Sequence, residues 1–449
     1  MKRTQRGFFR TVCAIAVPVT LQCLLQSSFS VIDQIMLGQL GGVRVAAVGL
    51  AGKFCSIHSV IVGAIATVAG IMLSQYLGQN DAAEVRRSFR VNLALSLVLA
   101  AGFTLVSFVF PAQLMGLYSR DAATVSEAAG YLRIVSATFL PLAASSMLSA
   151  LMRCTGRAKL PLCAALAAAV CNTLGNYALI FGHFGFAPMG ARGAAAATAA
   201  SQGLNLLVLL ALYGRGGQKR AGACAARFNT RQYCAMLLPV LSCEFLWSLG
   251  ENVYAAIYGH LGTDACAAMT LTNPIQSLMT GAMSGLAQAA GVIIGTRLGE
   301  RREEDACRES RRLMLYGLAG ALALSAALLM TRGLYVRIYE VSDEIRAMTA
   351  QILAAYACIA PVKILNMILG GGILRSGGRT RLVMWIDLTG TWLFGVPLGL
   401  MAALWWKLPV AQVYFILSLE ECVRLAISLW VFRSRRWVNR LQAGGAAHG

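Results

Sequence analysis

Four polar residues lie on one face of the first long apolar segment of the chain. Gln22, Gln26, Ser30 and Asp33 follow one another at steps of four, four and three residues, which places them on the same side of a helix. A charge at the centre of a bilayer costs roughly 2.5–3.5 kcal/mol on insertion scales, so an acid kept there indicates function. We predict that Asp33 exchanges a proton or cation and that Gln22 and Gln26 contact a bound small molecule. The alternative for Asp33 is a structural hydrogen bond near the membrane edge.

Two amides and a hydroxyl in later segments could complete a polar pocket around this acid. Asn172 and Asn176 are one helical turn apart, and Thr198 lies in a run of alanines that permits close approach of helices. We predict that these three residues assist ion coupling at Asp33. The alternative is that the amides only join helices.

The second half of the chain carries a different set of charges. Glu244, Ser248 and Glu251 share a helical face, while Lys363 and Asp387 lie in later apolar segments. An unpaired buried charge is costly, so we predict a Glu244–Lys363 ion pair. We assign Glu244, Lys363 and Asp387 to ion coupling and Glu251 to substrate binding. The role of the Glu244–Lys363 pair could be structural or that of a switch.

An amphipathic small molecule is bound by an apolar, aromatic-rich cavity with a few acids. The candidates in this chain are Trp247, Tyr254, Tyr258, Met279, Met283 and Trp392. For each of them, ordinary helix packing is the alternative. Glu420, Glu421 and Arg424 are predicted to pair locally at helical spacing, and we give them little functional weight.

The elements that position these residues are membrane helices. The chain has 449 residues, of which 57% are hydrophobic and 13% charged, against roughly 25% charged in soluble domains. Lipid leaves helices or a closed barrel as the ways to satisfy the backbone. We predict an all-α polytopic membrane protein with 12 transmembrane helices, near residues 11–37, 44–73, 88–110, 122–150, 160–182, 190–213, 233–258, 265–296, 313–332, 345–373, 381–406 and 408–432.

The two sets of six segments form an internal repeat. Pro18 matches Pro239 at an offset of 221, and Arg153 matches Arg375 at 222. Further matches at 221 pair Gly38, Leu40, Gly41, Ala46, Ala47, Leu77 and Gly78 with their counterparts, and Gly156 pairs with Gly378 at 222. We predict two pseudo-symmetric six-helix lobes, 1–213 and 233–432, with a basic linker at 214–232 and a tail at 433–449. Alternating access around a site near the midplane follows from such a repeat.

The basic residues predict the orientation, because cytoplasmic loops collect Lys and Arg. With the N-terminus inside, 28 basic residues fall in inner segments and 8 in outer loops. Both termini are therefore expected in the cytoplasm. The net charge of +20 is spread over every inner loop, which argues against nucleic-acid binding.

Several motifs expected of other classes of protein are missing. The 13 cysteines occur singly within apolar runs, which predicts neither a disulfide framework nor a metal site. The sequence has no GxxxxGK[ST] motif for ATP, and only four histidines, at 58, 183, 260 and 448. No HExxH or Ser/His constellation lies within the spans, so a membrane-embedded enzyme is disfavoured and no cofactor is expected.

Several stretches resemble the multidrug and toxic compound extrusion (MATE) transporters. VIDQIMLGQLG with AAVGL is similar to the first-span signature of that family. LMRCTGRAKLPL, NTLGNYALIFGHFGF and GARGAAAATAASQ resemble its fourth-to-sixth-span region, and LRSGGRTRL with IDLTGTWLFGVPLG its tenth-to-eleventh. The resemblance covers nearly the whole chain. One departure is Arg379, which stands where the family commonly has an acid.

The resemblance implies a twelve-helix antiporter of the bacterial inner membrane that exports cationic or amphipathic drugs in exchange for protons or sodium ions. In MATE proteins the Asp matching Asp33 is the proposed proton site, and some relatives have a second acid at the position of Asn176. We favour protons, because a sodium site needs several oxygen ligands. The substrates are expected to be small molecules and the protein a monomer. A lipid-linked saccharide flippase of the same superfamily is the alternative, to which Lys53 in the second span points.

Overall fold

The computed structural model describes residues 2–40, 42–214, 229–339 and 341–441, and every regular element in these ranges is helical. The linker residues 215–228 and the tail beyond 441 lie outside them. The helices of the first half are α1 (Lys2–Gly38), α2 (Gly42–Gly78), α3 (Ala82–Val109), α4 (Pro111–Gly116), α5 (Ala122–Val135), α6 (Phe139–Cys154), α7 (Lys159–Phe181) and α8 (Ala191–Gly214). Those of the second half are α9 (Thr230–His260), α10 (Thr263–Gly299), α11 (Glu303–Val336), α12 (Asp343–Asn366), α13 (Thr380–Leu388), α14 (Val396–Leu400), α15 (Val410–Ser418) and α16 (Glu420–Arg433).

Eleven helical stretches in the described ranges are long and apolar enough to cross a membrane. The fourth combines α5 and α6 through a short 3-10 turn, Ser136–Thr138. The tenth and eleventh continue through wider π-helical turns at Met367–Leu374, Thr389–Gly395 and Met401–Trp405. The predicted twelfth segment is α15 followed by α16, interrupted at Leu419, whose φ of −63° and ψ of −17° remain helical. The twelve predicted segments thus all correspond to helical chain.

The chain divides into two compact units. The first-half unit comprises Leu21–Leu73 and Asp81–Phe228, and the second-half unit comprises Met1–Thr20, Ser74–Asn80 and Asn229–Gly449. The helices α1 and α2 are therefore each shared between the units.

Small residues bring α7 and α8 together in the first-half unit. A methyl group placed on Gly193 would lie 2.5 Å from the carbonyl oxygen of Leu179, and one on Gly175 would lie 3.0 Å from Ala197 Cβ. The backbones approach this closely because neither contact leaves room for a side chain. This packing holds Asn176 of α7 close to the alanine run of α8, as the sequence predicts.

Within the second-half unit, the end of α2 crosses the end of α10 through glycines. A Cβ on Gly78 would overlap the Thr296 carbonyl, and a Cβ on Gly299 would overlap that of Gln75. Both pairs, Gly78 with Gly299 and Gln75 with Thr296, are separated by the repeat offset of 221. The crossing is therefore a reciprocal contact between equivalent positions of the two repeats.

The C-terminal segment is hydrogen-bonded to α2 at this crossing. The Gln75 amide donates from Nε2 to the Ser376 carbonyl at 2.7 Å, and the Leu441 backbone N–H donates to Gln75 Oε1 at 2.8 Å. Trp437, which is fully buried, packs beside Gly377. These contacts join α2, the turn after α12 and the segment after α16.

Candidate functional site

Asp33 lies at the centre of a small hydrogen-bonded cluster in the first-half unit. Asn176 donates from Nδ2 to Asp33 Oδ1 at 2.6 Å. In the amide orientation that satisfies its neighbours, Asn172 donates to both carboxylate oxygens at 2.8 and 3.1 Å, and its own oxygen lies 3.3 Å from Thr198 Oγ1. The four polar residues chosen from spacing on α1, α7 and α8 therefore do meet.

The cluster leaves one oxygen without a partner. Asn176 Oδ1 is buried and accepts no hydrogen bond within the described chain. A protonated Asp33 would gain a donor, and rotation of the Asn176 amide would present this oxygen to it. The arrangement can therefore satisfy the carboxyl group in both of its protonation states.

A polar cavity of about 350 Å³ opens beside this cluster. Gln22, Gln26, Ser30 and Asp33 line one side of it, so the predicted face of α1 does point into the unit. The other lining residues include Ser145, Ser146, Ser149, Arg153, Asn172, Thr198, Ser201, Gln202 and Asn205. A cavity of this size and polarity could hold a drug-sized molecule.

A second cavity, of about 280 Å³, lies in the second-half unit. Its walls combine aromatic rings with charges: Trp247, Glu251, Tyr254, Tyr258, Asn273, Gln276, Lys363, Tyr414, Glu420 and Glu421. Five residues predicted to bind substrate or couple ions, Trp247, Glu251, Tyr254, Tyr258 and Lys363, line it together. It has the mixture of rings and acids expected for an organic cation.

Two buried acids of α16 are anchored at this cavity. Tyr254 donates its hydroxyl to Glu420 Oε2 at 2.5 Å, and Asn366 donates from Nδ2 to Glu421 Oε2 at 2.8 Å. Both carboxylates are about 6% exposed. The local pair predicted at helical spacing is present between Glu421 and Arg424, at 3.5 Å. The acids also have distant partners, because Glu420 bonds to α9 and Glu421 contacts the chain at the end of α12.

The predicted Glu244–Lys363 ion pair is also wrong. Glu244 lies 3.3 Å from Arg375, whereas Lys363 faces the second cavity and has no ion pair within 4 Å among the described residues. Asp387 accepts from Arg424, and Arg375 Nη2 lies 3.8 Å from Asp387 Oδ2. The second half thus buries a network of charges at α9, α13 and α16, in which Arg375 takes the place predicted for Lys363.

Four other residues singled out from the sequence, Met279, Met283, Trp392 and Lys53, line neither the first nor the second cavity. Met279 and Met283 are buried against neighbouring helices of the second-half unit. Trp392 donates its indole N–H to the Leu246 carbonyl at 3.3 Å, beside a void of about 10 Å³. Lys53 is exposed on α2 and lines neither cavity.

Two cavity-lining residues, Gln276 and Arg153, were not predicted from the sequence. Helical spacing alone does not distinguish a residue that lines a cavity from one that packs between helices. Gln276 accepts from the Tyr414 hydroxyl at 3.2 Å in the second cavity, and it follows the proline of α10 by two residues. Arg153 follows the predicted span 122–150, a position that indicates an inner-loop charge, although it lines the first cavity. The repeat could have identified it, because its counterpart Arg375 lies within the buried charge network.

Comparison with known proteins gives the family. A family model described as MatE matches residues 18–178 and again 239–401. The chain belongs to the MatE family. The two matches begin at Pro18 and Pro239, so the repeat deduced from the sequence is also the unit of the family model.

Relatives with similar sequences cover most of the chain. A protein of Agrobacterium fabrum named probable multidrug resistance protein NorM is 26% identical over 87% of this chain and 86% of its own. Multidrug resistance protein MdtK of Klebsiella pneumoniae is 24% identical over 88% of both chains. An uncharacterized transporter, YisQ of Bacillus subtilis, is 20% identical over 94% of both.

Solved structures show the same fold. An outward-facing multidrug resistance MATE transporter of the MOP superfamily has a TM-score of 0.87 at 17% identity, over 95% of both chains. A MOP superfamily transporter from Pyrococcus furiosus has a TM-score of 0.86 at 16% identity over the same share. The prediction of an all-α membrane protein with two six-helix lobes is confirmed. MatE membership makes the chain a multi-pass membrane transporter, not an enzyme.

Proposed function

We propose that this protein is a secondary active antiporter that exports cationic or amphipathic compounds in exchange for protons by alternating access. The observation that carries the proposal is the environment of Asp33. Its carboxylate lines a drug-sized cavity and is held by neutral amides, with no cationic partner among the described residues. A single acid in this position can be neutralised by a proton or by a cationic substrate, and the two compete for it.

The geometry of the amides favours a proton over a sodium ion. Asn172 and Asn176 present N–H groups to Asp33. A sodium site needs a cage of oxygen ligands, and N–H groups pointing at the carboxylate oppose one. A proton needs only an acid and an acceptor, and Asn176 Oδ1 supplies the acceptor.

The second cavity supports a role in substrate binding. Three acids, Glu251, Glu420 and Glu421, face one lysine, Lys363, across aromatic walls. The balance leaves an excess of negative charge that would attract an amphipathic cation. We propose that Glu420, anchored by Tyr254, is the acid there that contacts substrate.

The remaining parts of the proposal concern the whole chain. We place it in the bacterial inner membrane as a monomer. Both termini are placed in the cytoplasm, because basic residues concentrate in the segments on that side. Its relatives named NorM and MdtK are bacterial multidrug resistance proteins, which supports small drug-like substrates.

Dye transport into everted membrane vesicles tests the proposal. Vesicles containing wild-type protein are expected to accumulate ethidium under an imposed proton gradient and to fail to do so under a sodium gradient alone. Asp33→Asn removes the exchangeable proton, so its proton-driven rate should fall at least about tenfold. Asp343→Asn is the matched control, since its side chain is 96% exposed, and its rate should equal that of the wild type.

Two results would count against this assignment. If sodium alone drives uptake and Asp33→Asn is tolerated while Glu420→Gln is inactive, coupling belongs to the second half. If folded wild-type protein moves no dye under either gradient, the proposal that it exports cationic dyes is wrong.

A further inference from the structure

Arg153 is an unpaired cation in the wall of the first cavity. It lies in the last turn of α6 and lines the same cavity as Asp33. Its guanidinium makes no hydrogen bond or ion pair within the described part of the chain. The side chain is partly buried, and the titratable groups beside it are the thiols of Cys23 and Cys154. A guanidinium withdrawn from water without a partner is costly, which indicates a ligand that supplies the missing charge.

The second repeat has an equivalent arginine, Arg375, whose surroundings can be compared with those of Arg153. The turn after Arg153 is repeated after Arg375: Gly156 has a φ of 75° and Gly378 one of 73°. In both turns the glycine N–H donates to the arginine carbonyl, at 3.2 and 2.9 Å. The two arginines therefore occupy equivalent places in the fold.

The partners of Arg375 are not repeated. Arg375 is paired with Glu244 at 3.3 Å and lies 3.8 Å from Asp387. At the repeat offsets of 221 and 222, the positions of these two acids are occupied by Cys23 and Ala165. Ala165 lines the cavity beside Arg153. The first half thus keeps the arginine and replaces both of its carboxylates by small uncharged residues, which opens the guanidinium to the cavity.

We propose that Arg153 binds an anionic group of the substrate, a carboxylate or phosphate, so that the first cavity takes zwitterions with a cationic end at Asp33 and an anionic end at Arg153. The planar fork of the guanidinium matches both groups through two parallel hydrogen bonds. The proposal rests on the export function proposed above and names the substrate class of that site.

The dimensions and lining of the cavity suit such a molecule. Asp33 and Gln22 both line it and are eleven residues apart on α1, a rise of about 16 Å. On α8, Gln202 and Asn205 follow Thr198 by one and two helical turns and also line the wall, and Asn205 Oδ1 is buried without a partner in the described chain. The cavity therefore offers an acid, neutral polar side chains and a base.

Two rhodamines of the same skeleton test the assignment. Rhodamine 110 has a free carboxylate, and rhodamine 123 is its methyl ester, a cation without the anionic group. Binding of each dye to purified full-length protein in nanodiscs is measured by fluorescence polarisation, for wild type, Arg153→Gln, Arg153→Lys and Lys159→Gln. Lys159 is the control because it is exposed at the start of α7 and lines neither cavity, so its loss removes the same charge nearby.

Wild type is expected to bind rhodamine 110 more tightly than the ester. Arg153→Gln should weaken rhodamine 110 by about tenfold or more and change rhodamine 123 less than twofold, since a charged hydrogen-bonded pair is lost for one dye alone. Arg153→Lys should recover part of the affinity, and Lys159→Gln should match wild type. Equal effects of Arg153→Gln on both dyes, or none on either, would overturn the proposal.

Two further arms separate the possible sources of the result. If phosphatidylglycerol in the nanodisc displaces rhodamine 110 and phosphatidylcholine does not, Arg153 binds a lipid headgroup and the substrate assignment is wrong. Because binding is measured without a gradient, it can succeed when vesicle transport fails. Suppose that Arg153→Gln weakens binding of rhodamine 110 alone, while no dye is transported into vesicles. The assignment of Arg153 as an anion site would then stand, and only the proposed export function would be contradicted.

Discussion

At the scale of single residues, the two halves use charge in different ways. Asp33 is held by amides and faces open space, so its charge remains available to a ligand. Asp387 accepts from Arg424 and lies near Arg375, so its charge is already neutralised. The first arrangement is suited to exchange and the second to holding helices together. Both acids were predicted to couple ions, and the structure supports that role more strongly for Asp33.

Removing the charge of Asp387 is therefore expected to reduce stability more than binding. Asp387→Asn leaves two arginines of the network without their shared carboxylate, and breaking such a buried pair costs about 3 kcal/mol. We expect the thermal midpoint of the detergent-solubilised protein to fall by several degrees, while binding of a dye to the first cavity is unchanged.

Glu300→Gln is the control for that experiment. Glu300 pairs with Arg297 at 2.9 Å, but the two side chains are 31% and 28% exposed, so the loss should be no more than about 1 kcal/mol. An Asp387→Asn protein as stable as the Glu300→Gln protein would show that the network does not hold the second-half unit together.

The sequence could predict which residues face inward better than which residues they contact. The spacing of Gln22, Gln26 and Asp33 defined a helical face, and that face lines the first cavity. The prediction of a Glu244–Lys363 pair is wrong because pairing depends on the rotation and depth of both helices. Periodicity within each helix does not determine either of these. Arg375 follows a π-helical stretch at Met367–Leu374, and a wider turn changes the direction of every later side chain. Arg375 is therefore the residue that pairs with Glu244.

At the scale of elements, the lengths and order of the helices follow from hydrophobic runs and the crossings follow from glycines. All twelve apolar segments became helical, but the interruption at Leu419 was not visible as a loss of hydrophobicity. The crossing of α2 and α10 is set by two glycines at the repeat offset, with no space for a side chain on either. Such a contact depends on the absence of Cβ atoms, so a single methyl group disturbs it.

Alanine at Gly299 is expected to destabilise this crossing. The added methyl would overlap the Gln75 carbonyl, and backbone atoms cannot move aside as a flexible side chain can, so the loss should be about 1–3 kcal/mol. The measurement is the thermal midpoint together with the rate of proteolysis at the C-terminal segment, which is bonded to Gln75 through Leu441.

Gly70→Ala is the matched control on α2, because a methyl group there meets no atom within 4 Å. Alanine also favours helix over glycine by about 1 kcal/mol, so this variant should be as stable as wild type or more so. A Gly299→Ala protein that behaves like Gly70→Ala would mean that the crossing opens without cost.

At the scale of the whole molecule, the repeat and the distribution of charge fix the expected topology. The family model matches two stretches of similar length in the same order, and an even number of spans in each half gives both halves the same orientation. Of the 39 basic residues, Lys53, Lys363 and Arg424 are assigned to neither side of the membrane. The remaining 36 divide 28 to 8 between the two sides, which is the asymmetry that directs insertion.

Reporter fusions test this topology directly. Green fluorescent protein attached at the C-terminus should fluoresce, because it folds in the cytoplasm, whereas alkaline phosphatase fused after Arg120 should be active, because that segment is expected outside. Phosphatase fused after Arg157, in the turn between α6 and α7, should be inactive. The reverse pattern would place Arg153 towards the outer end of its cavity and Asp33 towards the inner end. It would then invert the direction in which a proton gradient loads Asp33, so export driven by inward proton flow requires the expected pattern.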